Sequence, residues 1–481
     1  GPALAQDDVA PYFKTEPGLP QIHLEGNRLV LTCLAEGSWP LEFKWIRNDS
    51  ELTTYSSEYK YIIPSLQKLD AGFYRCVVRN RMGALLQRKS EIQVAYMGNF
   101  MDTDQRKTVS QGHAALLNLL PIVSCPQPQV TWFREGHKII PSSRIAITLE
   151  NQLVILATTA SDAGAYYVQA VNEKNGENKT SPFIHLSVAR DTGTHEAMAP
   201  IIVVAPGNRS VVAGSSETTL ECIANARPVE ELSVHWKRNG VRLTSGLHSY
   251  GRRLTITNPT SADTGMYVCE ATLRGSTFEP ARARAFLSII EPPYFTAEPE
   301  SRILGEVEET MDIPCRAMGV PLPTLQWYKD AVPLSKLQNP RYKVLPSGGL
   351  HIQKLSPEDS GIFQCFASNE GGEVQTHTYL DVTNIAPAFT QRPVDTTVTD
   401  GMTAVLRCEV SGAPKPAITW KRGNHILASG SVRIPRFMLL ESGGLRIAPV
   451  FIQDAGNYTC YAANTEASVN ASAMLTVWNR T

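Results

Sequence analysis

The chain has 481 residues, with 45 Lys and Arg set against 46 Asp and Glu for a net charge of -1. That balance excludes a general electrostatic pull on nucleic acid or anionic membrane, and no apolar run approaches the ~18 residues of a membrane-spanning helix. No phosphate-cradling Gly loop, Gly-X-Ser-X-Gly elbow or His-Glu-X-X-His pair occurs, and the ten His are scattered. No catalytic residues, no metal ligands and no cofactor are therefore expected.

Residues 1–7, opening with Gly1-Pro2, read as a leader or expression scar, and the chain as a piece of a larger secreted or membrane-anchored protein. The first domain spans 8–96. Within Asn27–Cys33, Leu29, Leu31 and Cys33 fall on one face, as a core strand requires, and Glu42–Trp45 supplies the next core strand. Trp39-Pro40 lies in the turn between them. The Trp39 ring is expected to be covered in part by its own domain; the sharper alternative is an exposed anchor for a partner. The domain closes on Asp70-Ala-Gly-Phe-Tyr-Arg-Cys76, a tight turn leading into a strand.

This stretch recurs as Asp162-Ala-Gly-Ala-Tyr-Tyr-Val168, Asp263-Thr-Gly-Met-Tyr-Val-Cys269, Asp359-Ser-Gly-Ile-Phe-Gln-Cys365 and Asp454-Ala-Gly-Asn-Tyr-Thr-Cys460, at a spacing close to 95 residues. Internal repetition therefore sets the architecture. In each copy the Gly takes backbone angles that other residues avoid, and the aromatic and the last residue, two apart, face the core together. Four copies have a partner Cys and a Trp upstream: Cys33, Trp45, Cys76; Cys222, Trp236, Cys269; Cys315, Trp327, Cys365; and Cys408, Trp420, Cys460. This is the pattern of an immunoglobulin sandwich, in which a disulfide pins two sheets, a Trp packs on the sulfurs and a tyrosine corner precedes the second Cys. The fold class is all-β: five tandem immunoglobulin, I-set-like β-sandwiches. Four disulfides place the protein outside the reducing cytosol.

The second domain, 97–189, follows Tyr96 with no polar spacer, so domains one and two are expected to be tightly coupled. Aligned on Trp132, Leu119 falls where the first Cys belongs and Val168 replaces the second. The missing disulfide forgoes about 4 kcal/mol, and a buried Leu and Val return about 1.5–3 kcal/mol each, so the fold survives. Cys125, in the turn before the Trp132 strand, becomes the odd cysteine. It reads as an unpaired, shielded thiol, with an intermolecular disulfide as the alternative.

Residues 190–200 form a polar linker without strand pattern. The remaining joints, Ser288–Pro293 and Val382–Pro387, are short and stiffened by Pro. One long joint lets the chain double back, with domain one on domain four and two on three, so the first four domains are expected to form a horseshoe rather than a rod. Domains three, four and five span 201–290, 291–384 and 385–478. Arg144, Arg341 and Arg436, each nine residues before a strand Leu, are expected to pair with Asp162, Asp359 and Asp454 as structural ion pairs. Phe363 replaces the corner Tyr of domain four, which predicts a slightly weaker corner. Arg252, Arg253 and the run Ala281–Ala285 read as solvated basic spots, with polyanion binding as the lesser alternative. Six glycosylation sequons, Asn48, Asn178, Asn208, Asn457, Asn470 and Asn479, agree with an extracellular chain carrying N-linked glycans.

Several stretches also carry a family likeness: Leu24–Cys33, Gly37–Trp45, Tyr74–Gln87, Pro141–Glu150 with the missing disulfide of its domain, and His425–Ser431. Together they resemble the N-terminal immunoglobulin region of the Sidekick family of cell-adhesion molecules, favouring the first of its two vertebrate paralogues. The resemblance implies a single-pass plasma-membrane protein of six immunoglobulin and many fibronectin type III domains. It would bind copies of itself on apposing cells, support specific synaptic connections, notably in the retina, and fold its first four domains as a horseshoe. Its adhesive specificity would lie in domains one and two, which places the expected homophilic contacts at His23 and Asn27 within Gln21–Asn27; Trp39 joins them as the possible anchor noted above. The membrane would be reached only through a C-terminal segment beyond this sequence. Homophilic adhesion is the leading expectation. The alternatives are a heterophilic receptor ectodomain and, third, a spacer for an enzyme module located elsewhere.

Overall fold

The computed structural model describes residues 8–190 and 196–480. The leader or scar expected at 1–7 lies outside the described residues, as do residues 191–195 of the long linker. Strands dominate, because the sequence alternates apolar and polar residues over short runs punctuated by Gly, Asn and Pro.

Domain five shows the repeating plan. One sheet orders its strands Thr396–Thr399, Ser468–Trp478, Gly456–Ala463, Ala417–Arg422 and His425–Ala428; the other orders Ala404–Leu406, Leu445–Ile447 and Phe437–Leu439. Thr396–Thr399 runs parallel to Ser468–Trp478 and the remaining pairs are antiparallel. Inward residues of both sheets, among them Leu406, Trp420, Leu445, Tyr458 and Leu475, form a core with the Cys408–Cys460 bridge. Bridges also join Cys33 to Cys76, Cys222 to Cys269 and Cys315 to Cys365. In domain two, Val168 is buried and Leu119 is half-buried against the same core as Trp132, so apolar packing stands where the bridge would be.

The repeated Asp has a local cause. It ends a 3-10 turn, and its carboxylate accepts from the N–H three residues earlier, as in Gln67 N–H to Asp70 (2.8 Å) and Phe451 N–H to Asp454 (2.7 Å). The hydroxyls of Tyr74, Tyr166, Tyr267 and Tyr458 donate to the carbonyl of that same Asp, closing the corner. The expected ion pairs form as two-pronged contacts: Arg144 to Asp162 at 3.1 and 3.2 Å, Arg341 to Asp359 at 2.7 and 2.7 Å, and Arg436 to Asp454 at 2.7 and 3.2 Å.

The corner of domain four, expected to be slightly weaker, is built differently from the others. Phe363 carries no hydroxyl, but Tyr342 packs edge-on against it at 5.8 Å and donates its hydroxyl to Asp359 at 2.5 Å. This bond comes from a strand of the other sheet and reaches the Asp359 carboxylate, not the main-chain carbonyl that the corner tyrosines of the other domains hold. One boundary also moves. The first strand of domain three begins at Met198 rather than 201, pairing with Ile223–Arg227. The short joint expected at Ser288–Pro293 lies inside Ala281–Ala297, one continuous strand that passes from domain three into domain four with a register shift around Pro292 and Pro293.

Domains one and two are coupled in a similar way. Ser90–Met97, the last strand of domain one, pairs at its end with Ser124–Cys125 of domain two, and Met97 packs with Ile122 and Ala170. The chain then doubles back: domain one packs on domain four and domain two on domain three, as a horseshoe requires.

Candidate interaction surfaces

Two interdomain seams hold the horseshoe, and they decide which faces remain outward. In the seam between domains one and four, Val77, Ala84 and Leu86 meet Phe366 in a buried cluster, with Tyr328 and Ala331 against it. Gln364, fully buried, donates its Nε2 to Leu86 O (2.9 Å) and accepts the Leu86 N–H on Oε1 (2.8 Å), so one side chain pairs both backbone groups of a strand residue in the other domain. Arg75 bridges Glu373 at 2.9 Å and lies over the Phe366 ring at 5.2 Å. Gly83 sits here with φ +155°, and a Cβ on it would fall 2.6 Å from Asp330 Oδ1 and 3.0 Å from the Ile362 nitrogen. The turn needs Gly both for its angle and for the approach of domain four.

The seam between domains two and three is formed by the outer face of the three-stranded sheet of domain two. Leu116, Ala146, Val154 and Leu156 pack on Val203, Val204, Ile223 and Val229. Asn225 accepts the Ala157 N–H at 3.0 Å and donates to Gly112 O at 3.1 Å. The reading of Arg252 and Arg253 as solvated is overturned here. Arg252 is 6% exposed, and its guanidinium donates to the carbonyls of Ser142 (2.8 Å), Ser143 (2.6 Å) and Ile145 (3.2 Å). Arg253 donates to Ile147 O at 2.7 Å and pairs with Glu221 at 3.1 Å. Burial holds the Arg252 pKa below its ordinary range, and the fork of donors offsets that cost. Arg282, of the run Ala281–Ala285, remains surface-facing and pairs with Glu270 at 2.9 Å. Replacing Arg252 with Met is expected to take from the Ser143 carbonyl its donor, to leave the Ser142 and Ile145 carbonyls with only their backbone partners, and to raise hydrogen exchange at 142–147, and Lys is expected not to rescue it, because a compact ammonium lacks the span of the planar fork.

The residues expected to carry recognition fall into two places. His23 lies on Gln21–Leu24, which runs parallel to Ser90–Met97 toward domain two, with its Nε2 3.0 Å from Gln21 Oε1. Asn27 follows in the exposed turn after that strand. The two share the end of domain one nearest domain two. Trp39 is at the opposite end, where Ser38 N–H donates to Val9 O and Asn80 Nδ2 donates to Ser38 O. The expectation that its own domain covers Trp39 does not hold: the ring is 75% exposed and borders a surface groove of about 470 Å³ with Val9, Tyr12 and Leu41. The neighbouring loop turns back through backbone bonds, and the side chains beside the ring leave most of it open.

Cys125 is unbridged and half-buried, and it lies in the short strand paired with Tyr96–Met97 rather than in a turn. Burial, and then the charge of Glu91, raise its pKa, keeping the thiol protonated. All six sequon asparagines are exposed; Asn48 and Asn208 also accept backbone N–H bonds, from Phe73 (2.9 Å) and Phe286 (2.8 Å). Among the described residues no cluster of His, Cys, Asp or Glu is placed to hold a metal ion, and no helix is long and apolar enough to cross a membrane.

Paired sheets, a buried Trp over the bridge and a closed Tyr corner define the immunoglobulin class, and the chain belongs to the immunoglobulin I-set domain family, a non-enzyme family, which matches residues 99–186, 293–382 and 387–477; an immunoglobulin domain family matches 11–80 and 199–272. Human protein sidekick-1 is 90% identical over the full chain, and mouse protein sidekick-2 60% identical. The likeness to the Sidekick family therefore holds over all five domains, and the first paralogue is favoured. The chain spans 22% of the length of each of these relatives. Among solved structures, the N-terminal eight immunoglobulin domains of the Down syndrome cell adhesion molecule superpose with a TM-score of 0.59 at 20% identity, over 98% of this chain and 63% of that one. That likeness shows a shared fold.

Proposed function

We propose that the chain is the self-recognising part of an extracellular adhesion protein, in which domains one and two of one molecule meet the same domains of a second copy. The observation that carries this reading is the direct strand pairing of those domains. A strand continuous with domain one pairs into domain two, while domains four and three occupy one face of each. What remains outward is a two-domain platform of fixed shape, suited to an isologous two-fold contact. Weak single contacts suffice, because clustering on apposed membranes adds avidity. The 90% identity to human protein sidekick-1 supports the same role, together with placement on the extracellular side of a single-pass plasma-membrane protein at synapses, the retina included. Four bridges and six sequons suit that environment.

His23 and Asn27 form one contact region of this platform and Trp39 a separate one. In a cell-aggregation assay, changing His23 and Asn27 together is expected to abolish aggregation, and Trp39→Ala to weaken it. Undiminished aggregation by both variants would remove the site assignment. A monomer that captures a different protein through the same residues would favour a heterophilic receptor.

A further inference from the structure

Domain two presses its three-stranded sheet on domain three and turns the other sheet outward. In that outward sheet, Trp132, Tyr166, Val168 and Ala170 are buried, so the alternate residues stand on the outer face. Strand register sets them in rows. Phe133 lies opposite Tyr167, and Gln129 opposite Val171. Gln169 lies opposite Thr180, and Val171 opposite Asn178. Phe133 and Tyr167 stack at 5.3 Å with their planes 11° apart, and Phe183 meets Tyr167 edge-on at 5.5 Å. An aromatic strip therefore crosses two strands and ends at Phe183, just before a third, with Phe183 43% and Val171 37% exposed. Asn178 begins its sequon on the same face, exposed and directly across from Val171. From Val171 to Tyr167 is four strand residues, about 13 Å, within reach of the two-sugar core of an N-linked glycan.

We propose that the N-linked glycan on Asn178 lies back along this sheet and covers Phe133, Tyr167 and Phe183. One face of an N-acetylglucosamine ring is lined with C–H bonds carrying partial positive charge, which complements the negative face of an aromatic ring. Val171 gives the first sugar an apolar seat, and the aromatic row receives the second. A protein approaching the strip must displace sugar first, so the glycan closes this face and leaves recognition to the rest of the platform. The inference requires only passage through the secretory pathway, so it stands or falls separately from self-recognition.

The test uses the full chain secreted from cells that add N-glycans. Mass spectrometry is expected to find Asn178 occupied, and an unoccupied site overturns the proposal. Under native conditions the Asn178 glycan is expected to be released by a glycan amidase several-fold faster from a Phe133→Ser/Tyr167→Ser chain than from the parent, with release at the other sequons unchanged. Equal rates at Asn178 overturn it. Phe183→Ser, at a more exposed position, provides a second variant if the pair disturbs folding. In a chain trimmed to its core sugars, an N-acetyl methyl signal is expected to be shifted upfield by the rings and to move back in Phe183→Ser; an unshifted methyl overturns the proposal. If Tyr167→Ser instead weakens self-association and leaves glycan release unchanged, a second copy occupies the strip and the proposal fails.

Discussion

A chain carrying Leu86→Asp is expected to keep five folded sandwiches and lose the closure of domain one on domain four. Leu86 is 3% exposed and sits among Val77, Ala84 and Phe366. Its N–H and carbonyl are both bonded to Gln364, so no polar group in the seam is free to receive a carboxylate through that pair. Burying an unpaired charge costs several kcal/mol or more. Opening the seam hydrates it, whereas unfolding domain one would also sacrifice the core around Trp45. Small-angle scattering is expected to show a longer maximum dimension and larger radius of gyration, with circular dichroism unchanged. Leu86→Ala removes only packing, about 2–5 kcal/mol in a well-packed site, and should open the ring in part. An unaltered scattering profile for Leu86→Asp would mean that closure does not depend on this contact.

Asp359→Ala is expected to destabilise domain four by about 3 kcal/mol, near the lower end for breaking a buried pair. The Asp359 side chain is 1% exposed and accepts both prongs of Arg341, the Tyr342 hydroxyl and the Ser356 N–H. The cost stays near the lower end because Arg341 keeps the carbonyls of Gln353 and Lys354 at 3.2 and 2.9 Å. Burial alone would raise the carboxyl pKa, but Arg341, Tyr342 and the Ser356 N–H outweigh it and hold it below the ordinary carboxylate range. A folded-state pKa below the unfolded value means that the stabilisation is fully present above the unfolded pKa and is lost as the pH falls through the folded one. Asp162 and Asp454 are lowered in the same direction, against the same opposing burial, by Arg144 and Arg436 with backbone N–H bonds. Acid melting curves should therefore lose the difference between parent and Asp359→Ala at the lowest pH. A difference that persists below the folded pKa would mean the residue acts through something other than its charge.

The parts of this structure that were readable in advance are those whose physics is local. The Asp-X-Gly turn, the aromatic two residues before Cys and the spacing of Arg341 to Asp359 all lie within one sandwich, where strand period and turn chemistry constrain them. The reading failed where a partner came from elsewhere. Nothing near Arg252 announces three carbonyls of domain two, so it looked solvated; nothing near Phe363 announces that Tyr342, on another strand, bonds the Asp359 carboxylate. Pro292 and Pro293 marked a short stiff joint, and the strand runs through it by shifting register at the domain boundary. The aromatic strip of domain two was accessible to the same alternation argument: Phe133 and Tyr167 each follow a core aromatic by one residue, so they point outward. The doubling back was legible from a single long joint, but the residues that hold the seams were not, because the sandwich pattern does not record which outer face another domain will cover.

Sedimentation velocity over a range of concentrations, on the full chain with its glycans, tests the central claim most directly. Self-recognition through domains one and two predicts a monomer–dimer equilibrium that rises with concentration and that the paired His23 and Asn27 changes shift back to monomer. A single monomeric species for the parent chain up to high micromolar concentration would contradict it.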